Sequence, residues 1–448
     1  MAQRFVDKRT HRFYFDDNGT RRSYVLTYGD QVNTLTGAAP SGSPFRRVSY
    51  RGRFGEWRPP ALTTQRSLEM YFLDVGQGDA AFVVTPNNSK ILVDGGLRRR
   101  ALAFLIWKYR LDRPQNLLQI DHLFLSHADK DHVEGLIPLL DHPQITVRNI
   151  HHNGIGLFNA GQFQESIGDR SADGTRLVTL HNTTADLNGL ALADSRGAVF
   201  RDWIRSVRAS GAHYRRRDRS TGHLDVGDNA VDVEILGPNI DAANGGSCRW
   251  LRNKAHTING HSLVFRLTHG SVRTFFSGDL NEVGSEELLA LPNAALGFNS
   301  HVFKSPHHGS HEFSETLFQA VNPMITVVSS GEIPDHGHPR ASFLAAVGRS
   351  SRAGADPLLF STAVATLFAD ADDAPATGAA AGATTAAEMT FDDLSFATSA
   401  ENAEARRRFK KLLPGIINVR SDGSRLFAFR RVQQGYAWES YGPIVPVQ

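Results

Sequence analysis

The chain has 448 residues, 49 Lys and Arg against 46 Asp and Glu, a formal net charge of +3 and a hydrophobic share of 41%. That length predicts one large domain of about 250 to 300 residues with additions, and so small a net charge means that affinity for polyanions must rest on clustering. The single Cys248 excludes an intramolecular disulfide and fits a reducing compartment. The first twenty residues are charged and aromatic, without the apolar core of a leader, and no run approaches the roughly 18 apolar residues of a membrane span. A cytoplasmic location with no membrane contact is the expectation.

Residues 1–66 alternate in short runs, such as Ser23-Tyr24-Val25-Leu26-Thr27-Tyr28 and Phe45-Arg46-Arg47-Val48-Ser49-Tyr50, broken by turn residues such as Gly29-Asp30. The pattern predicts a small antiparallel β-barrel. Tyr28-Gly29-Asp30-Gln31-Val32 resembles a Src-homology-3-like barrel. Twelve Lys and Arg against five Asp and Glu make this module basic, so it is expected to bind substrate or a protein partner. Pro59-Pro60 begins a linker.

From residue 67 to about 432 a second domain is expected, with residues 433–448 as a C-terminal tail. Val83-Val84 and Ile91-Leu92-Val93 read as strands, and Ala101 to Tyr109 as a helix. The mostly apolar segment Ile120 to Leu125 reads as a short buried strand. It runs into Ser126-His127-Ala128-Asp129-Lys130-Asp131-His132, which packs His127, Asp129, Asp131 and His132 into six residues. Burial on a helix or sheet face does not call for that pattern, and clustered carboxylates are costly to desolvate unless a cation neutralises them. A tight loop after a strand can aim one pair of ligands at one ion and the other pair at a second. That signature belongs to a dinuclear hydrolase rather than a structural zinc site, which favours Cys ligands and a closed shell. Residues 156–245 are irregular and rich in Gly, Asp and Arg, and read as an insert over one rim of the site. A second insert is expected at 356–412, where residues 371–388 are of low complexity. Strands resume at Gly415-Ile416-Ile417-Asn418-Val419 and Arg425-Leu426-Phe427-Ala428-Phe429.

His-x-Asp-x-Asp-His followed by Gly135 resembles the metallo-β-lactamase superfamily, whose usual form is His-x-His-x-Asp-His. The Asp129 variant is similar to the branch containing the hydrolase domain of the DNA-uptake protein ComEC. Phe72-Leu73-Asp74-Val75-Gly76-Gln77-Gly78-Asp79-Ala80, Ile91-Leu92-Val93-Asp94-Gly95-Gly96, Gly260-His261-Ser262-Leu263-Val264, Phe276-Ser277-Gly278-Asp279, Lys304-Ser305-Pro306-His307-His308-Gly309-Ser310 and His338-Pro339 follow that branch in order. The resemblance implies an α/β fold, a four-layer αββα sandwich, and two divalent ions, Zn2+ or Mn2+. It implies His127, Asp129 and His261 around one ion, and Asp131, His132 and one of His307 and His308 around the other, with Asp279 bridging. Branch members commonly carry Asn near position 261, so His151 or His152 stands in reserve. Asp131 is expected to orient the attacking water as well as bind an ion, and His308 or His338 to assist the leaving group. Asp74, Asp79 and Asp94 read mainly as turn residues bonding their own backbone, and His122, His142 and His301 as satisfied structural histidines.

Three basic runs, Arg98-Arg99-Arg100, Arg215-Arg216-Arg217 and Arg406-Arg407-Arg408 with Lys410-Lys411, suggest a polyanionic substrate. Arg98, Arg99, Lys304 and Ser310 are the candidate substrate contacts. The expectation is a metal-dependent phosphodiesterase acting on nucleic acid, DNA first. The alternatives are hydrolysis of a small phosphodiester, such as a cyclic nucleotide or a phosphocholine-like headgroup, and a partner-gated interaction protein with a silent hydrolase core.

Overall fold

The computed structural model describes residues 2–35, 46–51, 53–57, 62–158, 163–190, 199–242, 246–292, 297–331, 338–352, 358–362, 415–431 and 438–446. The layering follows from the two-residue period of its strands. Along Leu68–Phe72, Leu68, Met70 and Phe72 enter one apolar cluster while Tyr71 enters another. Val83, Ile91 and Phe124 join the first, and Phe82, Leu92, Leu123 and Leu125 the second. One face of this sheet therefore meets a second sheet and the other meets helices.

The first sheet has nine strands in the order His213–Arg216, Ile145–His152, Leu118–Leu125, Lys90–Val93, Ala81–Val84, Leu68–Phe72, Ile417–Ser421, Leu426–Arg431 and Trp438–Ile444. Its first four strands pair in parallel and the rest antiparallel. The second sheet has seven: His223–Leu224, Val231–Gly237, Val264–His269, Val272–Phe276, Val302–Lys304, Ile325–Val328 and Leu358–Ser361. Phe265, Phe276, Val302 and Ile325 face the first sheet, whereas Phe275, Phe303 and Val328 face outward. The helices Arg100–Tyr109 and Val199–Ser210 cover the first sheet through Phe104, Trp203 and Ile204. Glu282–Leu289, Glu315–Val321 and Ala341–Arg349 cover the second through Leu288, Phe318 and Phe343. The result is the expected αββα sandwich.

Residues 156–245 are more regular than their composition suggests. His213–Arg216 is an edge strand of the first sheet, and Val231–Gly237 lies inside the second with Val231, Val233 and Ile235 on its core face. Alternation there is short and flanked by charged residues, which hides it in the sequence. Trp438–Ile444, placed by the sequence reading in a C-terminal tail, pairs with Leu426–Arg431. The low-complexity stretch at 371–388, Pro59-Pro60, His336 and the basic run at 406–411 lie outside the described residues.

The N-terminal residues form a seven-stranded antiparallel sheet in the order Thr20–Thr27, Thr10–Asp17, Arg53–Trp57, Arg46–Tyr50, Gln31–Thr34, Ala2–Val6 and Leu62–Thr63. It packs on Val6, Phe13, Phe15, Leu26, Val32 and Val48. Arg420 ties it to the sandwich, bonding the Tyr28 carbonyl, Asp30 at 2.8 Å and the Tyr71 hydroxyl at 3.1 Å. Tyr28 stacks on Phe427, with ring centroids 4.0 Å apart.

Candidate metal centre

The strand Leu118–Leu125 ends at Ser126, and a one-turn helix, Lys130–Val133, begins after Asp129. This turn nests against the glycine loop of Lys90–Val93. The Gly95 N–H donates to the His132 carbonyl and the Gly135 N–H to the Gly96 carbonyl. The approach is so close that a Cβ on Gly135 would stand 2.1 Å from the Gly95 carbonyl oxygen. Gly78, with φ +117°, would likewise place a Cβ 2.1 Å from the Asp131 carbonyl oxygen. The glycines of three motifs thus let three loops meet where the metal-ligand types converge.

Asp279 is the focus. Its Oδ2 lies 3.1 Å from His308 Nε2, 3.3 Å from His132 Nε2 and 3.9 Å from His127 Nε2. Asp131 adds an oxygen 3.3 Å from His308 Nε2 and another 4.0 Å from His132 Nε2, and Asp129 one 3.6 Å from His127 Nε2. His127, His132, His308 and Asp279 are buried, yet their Nε2 atoms and Asp279 Oδ1 have no hydrogen-bond partner. Unsatisfied buried polar atoms are exceptional. His127, His132 and Asp279, and likewise Asp131, His132 and His308, present ligand atoms within 4.8 Å of one another, a spacing that fits divalent ions.

The outer nitrogens of these rings are anchored. Ser126 donates its N–H and its hydroxyl to Asp94, both at 2.7 Å. With its one hydrogen committed, the Ser126 oxygen accepts from His127 Nδ1 at 3.0 Å. Asp94 also accepts from His132 Nδ1 at 2.9 Å, and the Ser329 carbonyl accepts from His308 Nδ1 at 3.1 Å. Protons held on Nδ1 turn the Nε2 lone pairs of all three rings toward the centre.

The electrostatics agree. Burial opposes ionisation of Asp279, but His308 and His132 outweigh it and hold the carboxyl well below the ordinary range. Asp131 is held low in the same way against its burial, by His132 and His308. Burial disfavours the His308 cation, yet Asp279 and Asp131 push its pKa up to about 10. His132 is raised well above its usual value despite burial, by Asp279, Asp94 and Asp131. The cluster as a whole therefore attracts positive charge, as a site for divalent ions must.

The structure brings together His127, Asp129, Asp131, His132, Asp279 and His308. It separates others. His261 turns away and donates from Nε2 to the Arg249 carbonyl at 2.7 Å, because the residue closes the helix Lys254–Gly260 with its ring on the Arg249 side. The reserve histidines are also outside the ligand groups: His151 bonds His122 and Arg217, and His152 bonds the Tyr214 hydroxyl through Nδ1. His307 and His338 sit half-buried at the rim, with ring centroids 6.0 Å apart. Lys304 is buried rather than presented to substrate, with its Nζ 2.6 Å from Asp79 and bonded to the Ser305 carbonyl. Ser310 is buried and its N–H donates to the His307 carbonyl. Arg98 is exposed with its N–H on Glu134, Arg99 precedes the helix Arg100–Tyr109, and Arg100 pairs with Asp74 at 3.4 Å.

Three contributors were missed. Asp94, read from the sequence as a turn residue bonding its own backbone, instead accepts from Ser126 and from His132. Ser126 orients two rings at once, a role its place inside the ligand run could have signalled. Asn259 has a buried Oδ1 without a hydrogen-bond partner, and its Nδ2 lies 3.5 Å from His307 Nε2. Its signal was the Asn that branch members carry near position 261.

The family model of the metallo-β-lactamase superfamily matches residues 73–323. The chain belongs to the metallo-β-lactamase superfamily. Within it, ComE operon protein 3 of Bacillus subtilis (strain 168) is 23% identical over 308 residues, 65% of this chain and 32% of that protein. The chain thus spans about a third of that relative's length. Two solved structures resemble the chain at a low level. CmlA, a diiron β-hydroxylase from Streptomyces venezuelae, has a TM-score of 0.33 at 11% identity over 66% of this chain and 52% of its own. Igni18, a metallo hydrolase from Ignicoccus hospitalis, has a TM-score of 0.32 at 9% identity over 64% of this chain and 95% of its own.

Proposed function

We propose that this metallo-β-lactamase-fold protein is a metal-dependent phosphodiesterase that cleaves DNA. The observation that carries the reading is the convergence of three partnerless Nε2 atoms on Asp279, flanked by Asp129 and Asp131. His127, Asp129 and Asp279 would hold one divalent ion, with Asn259 Oδ1 at hand. Asp131, His132, His308 and Asp279 would hold the second. Such a pair of ions supplies a nucleophile from water near neutral pH and stabilises charge on the phosphoryl oxygens.

The protein's own groups do the positioning. Asp94, Ser126 and the Ser329 carbonyl lock the rings so that no reorganisation is needed during reaction. Asp131 stays ionised and so accepts a hydrogen bond from the attacking water. His338, at the rim 6.5 Å from His308 ring to ring, would donate to the departing oxygen. A carboxylate at Asp129, where relatives use imidazole, hardens one ion site and admits Mn2+ beside Zn2+. Resemblance to the ComEC hydrolase branch favours a phosphodiester over a lactam, and DNA over a small ester.

The test is cleavage of linear and circular, single- and double-stranded DNA by metal-stripped protein resupplied with Mn2+ or Zn2+, beside Asp131→Ala. Metal-dependent cleavage that falls to background in the variant is expected. Intact DNA after incubation with folded, metal-loaded protein would sink the nuclease reading, and turnover of bis(p-nitrophenyl) phosphate in the same protein would then redirect it to a small diester.

A further inference from the structure

A cleft of about 1000 Å³ opens between the N-terminal sheet and the sandwich, at the strand ends of the first sheet away from the ligand loop. Leu118, the first residue of its strand, lines the cleft, while Leu125 at the other end leads into the ligand loop. Seven residue steps at about 3.3 Å put the two sites about 23 Å apart.

Seven Lys and Arg line this cleft against two carboxylates, Asp30 and Glu69. Both carboxylates are already engaged. Asp30 pairs with Arg420 at 2.8 Å, and Glu69 with Arg66 at 2.9 Å and Lys108 at 3.1 Å. Among the described residues Arg51, Lys90 and Arg113 have no carboxylate within ion-pair distance. Arg51 instead lies 3.8 Å over the Trp107 ring, and the Arg110 guanidinium, paired with Asp112 at 3.2 Å, donates to the Arg51 carbonyl at 3.3 Å. Trp107, Tyr109 and Trp438 are half-buried along the same walls. Cations without a direct ion pair, interleaved with part-exposed aromatic rings, suit a chain of phosphates carrying unstacked bases. A duplex would have no use for the rings, since its bases are stacked on each other.

We propose that this cleft anchors single-stranded nucleic acid, remote from the reacting atoms. As an exosite for the hydrolase it rests on the function proposed above, but its binding chemistry is independent of catalysis.

The experiment uses the full chain in an Asp131→Ala background, so that the probe survives, and measures fluorescein-labelled oligothymidylate binding across salt concentrations. Lys90→Glu with Arg113→Glu is expected to weaken binding by about tenfold or more, and to lower the salt slope by about 1.4, some 0.7 per lost contact. With Asp131 intact, the same double variant is expected to turn over bis(p-nitrophenyl) phosphate at the parental rate. Should charge reversal disturb folding, Lys90→Gln with Arg113→Gln gives the same reading at smaller amplitude. Unchanged affinity, an absence of oligothymidylate binding, or tighter binding of duplex of equal length would overturn the proposal. A parent that binds oligothymidylate through Lys90 and Arg113 but never hydrolyses the small diester would leave the exosite standing and the hydrolase reading fallen.

Discussion

Asp94 Oδ2 lies 2.9 Å from His132 Nδ1, and the same carboxylate accepts two hydrogen bonds from Ser126, which in turn accepts from His127. One buried side chain therefore sets the tautomer of a ring at each proposed ion position. Losing such an outer contact typically lowers metal affinity 10- to 100-fold, by about that order. Asp94→Asn should show this loss in a competition titration with a chelating dye while keeping the wild-type circular dichroism. Unaltered affinity would mean that the rings are held by packing alone.

Metal stoichiometry separates the residues that the sequence grouped together. Wild type should hold about two ions per chain by plasma emission after desalting. Asp129→Ala should retain about one and Asp279→Ala fewer, since the proposed bridge serves both. His261→Ala should retain the full complement, because its Nε2 is spent on the Arg249 carbonyl. A loss of one ion in His261→Ala would return that residue to the ligand set.

Metal uptake should release protons. In metal-stripped protein, despite burial, the Asp279 and Asp131 carboxylates push the pKa of His308 up to about 10, so its ring carries charge at pH 8, and Asp279 and Asp94 raise that of His132 above its ordinary value. Ligation requires neutral imidazole, so at least about one proton should leave per dinuclear centre. Calorimetry in buffers of differing ionisation enthalpy counts the released protons directly. A buffer-independent heat would exclude protonated ligands.

Glu69 offers a pH signature away from the metal centre. Burial opposes its ionisation, but Lys108, Arg420 and Arg66 hold its pKa down to about 2. A folded pKa below the unfolded one means stability that is present above about pH 4.5 and lost as pH falls through about 2. From that shift the contribution is about 3 kcal/mol. The stability gap between wild type and Glu69→Gln, from urea melts of metal-stripped protein, should be of that size at pH 6 and shrink steadily below pH 4. A gap that stays constant with pH would rule out the ion pairs as its source.

Gly135→Ala tests the loop junction. The added methyl would meet the Gly95 carbonyl oxygen at 2.1 Å, and that atom is backbone. The Lys130–Val133 turn must then shift, and His132 with it. The expected result is loss of tight metal binding together with a destabilisation of about 1–3 kcal/mol. Wild-type affinity in this variant would show that the junction is looser than the contact implies.

The fold family and the sandwich were legible in the sequence, and so were most of the residues that converge on Asp279. His127, Asp129, Asp131 and His132 are legible because one tight loop places them at one strand end whatever surrounds it. Which of His307 and His308 faces Asp279 depends on contacts from other parts of the chain. Both residues have left-handed backbone, with φ of 46° and 53°, and it is the Ser329 carbonyl, supplied by a different loop, that turns His308 inward. Tertiary contacts also withdrew His261 and Lys304, since the Arg249 carbonyl and the Asp79 carboxylate that claim them approach from other segments of the chain. The basic cleft belongs to the same class. Arg51 is far from Lys90 and Arg113 along the chain, and docking of the N-terminal sheet through Arg420 gathers their charge at one place. Local runs reveal which atoms are chemically able to act, whereas long-range packing selects which of them face one another.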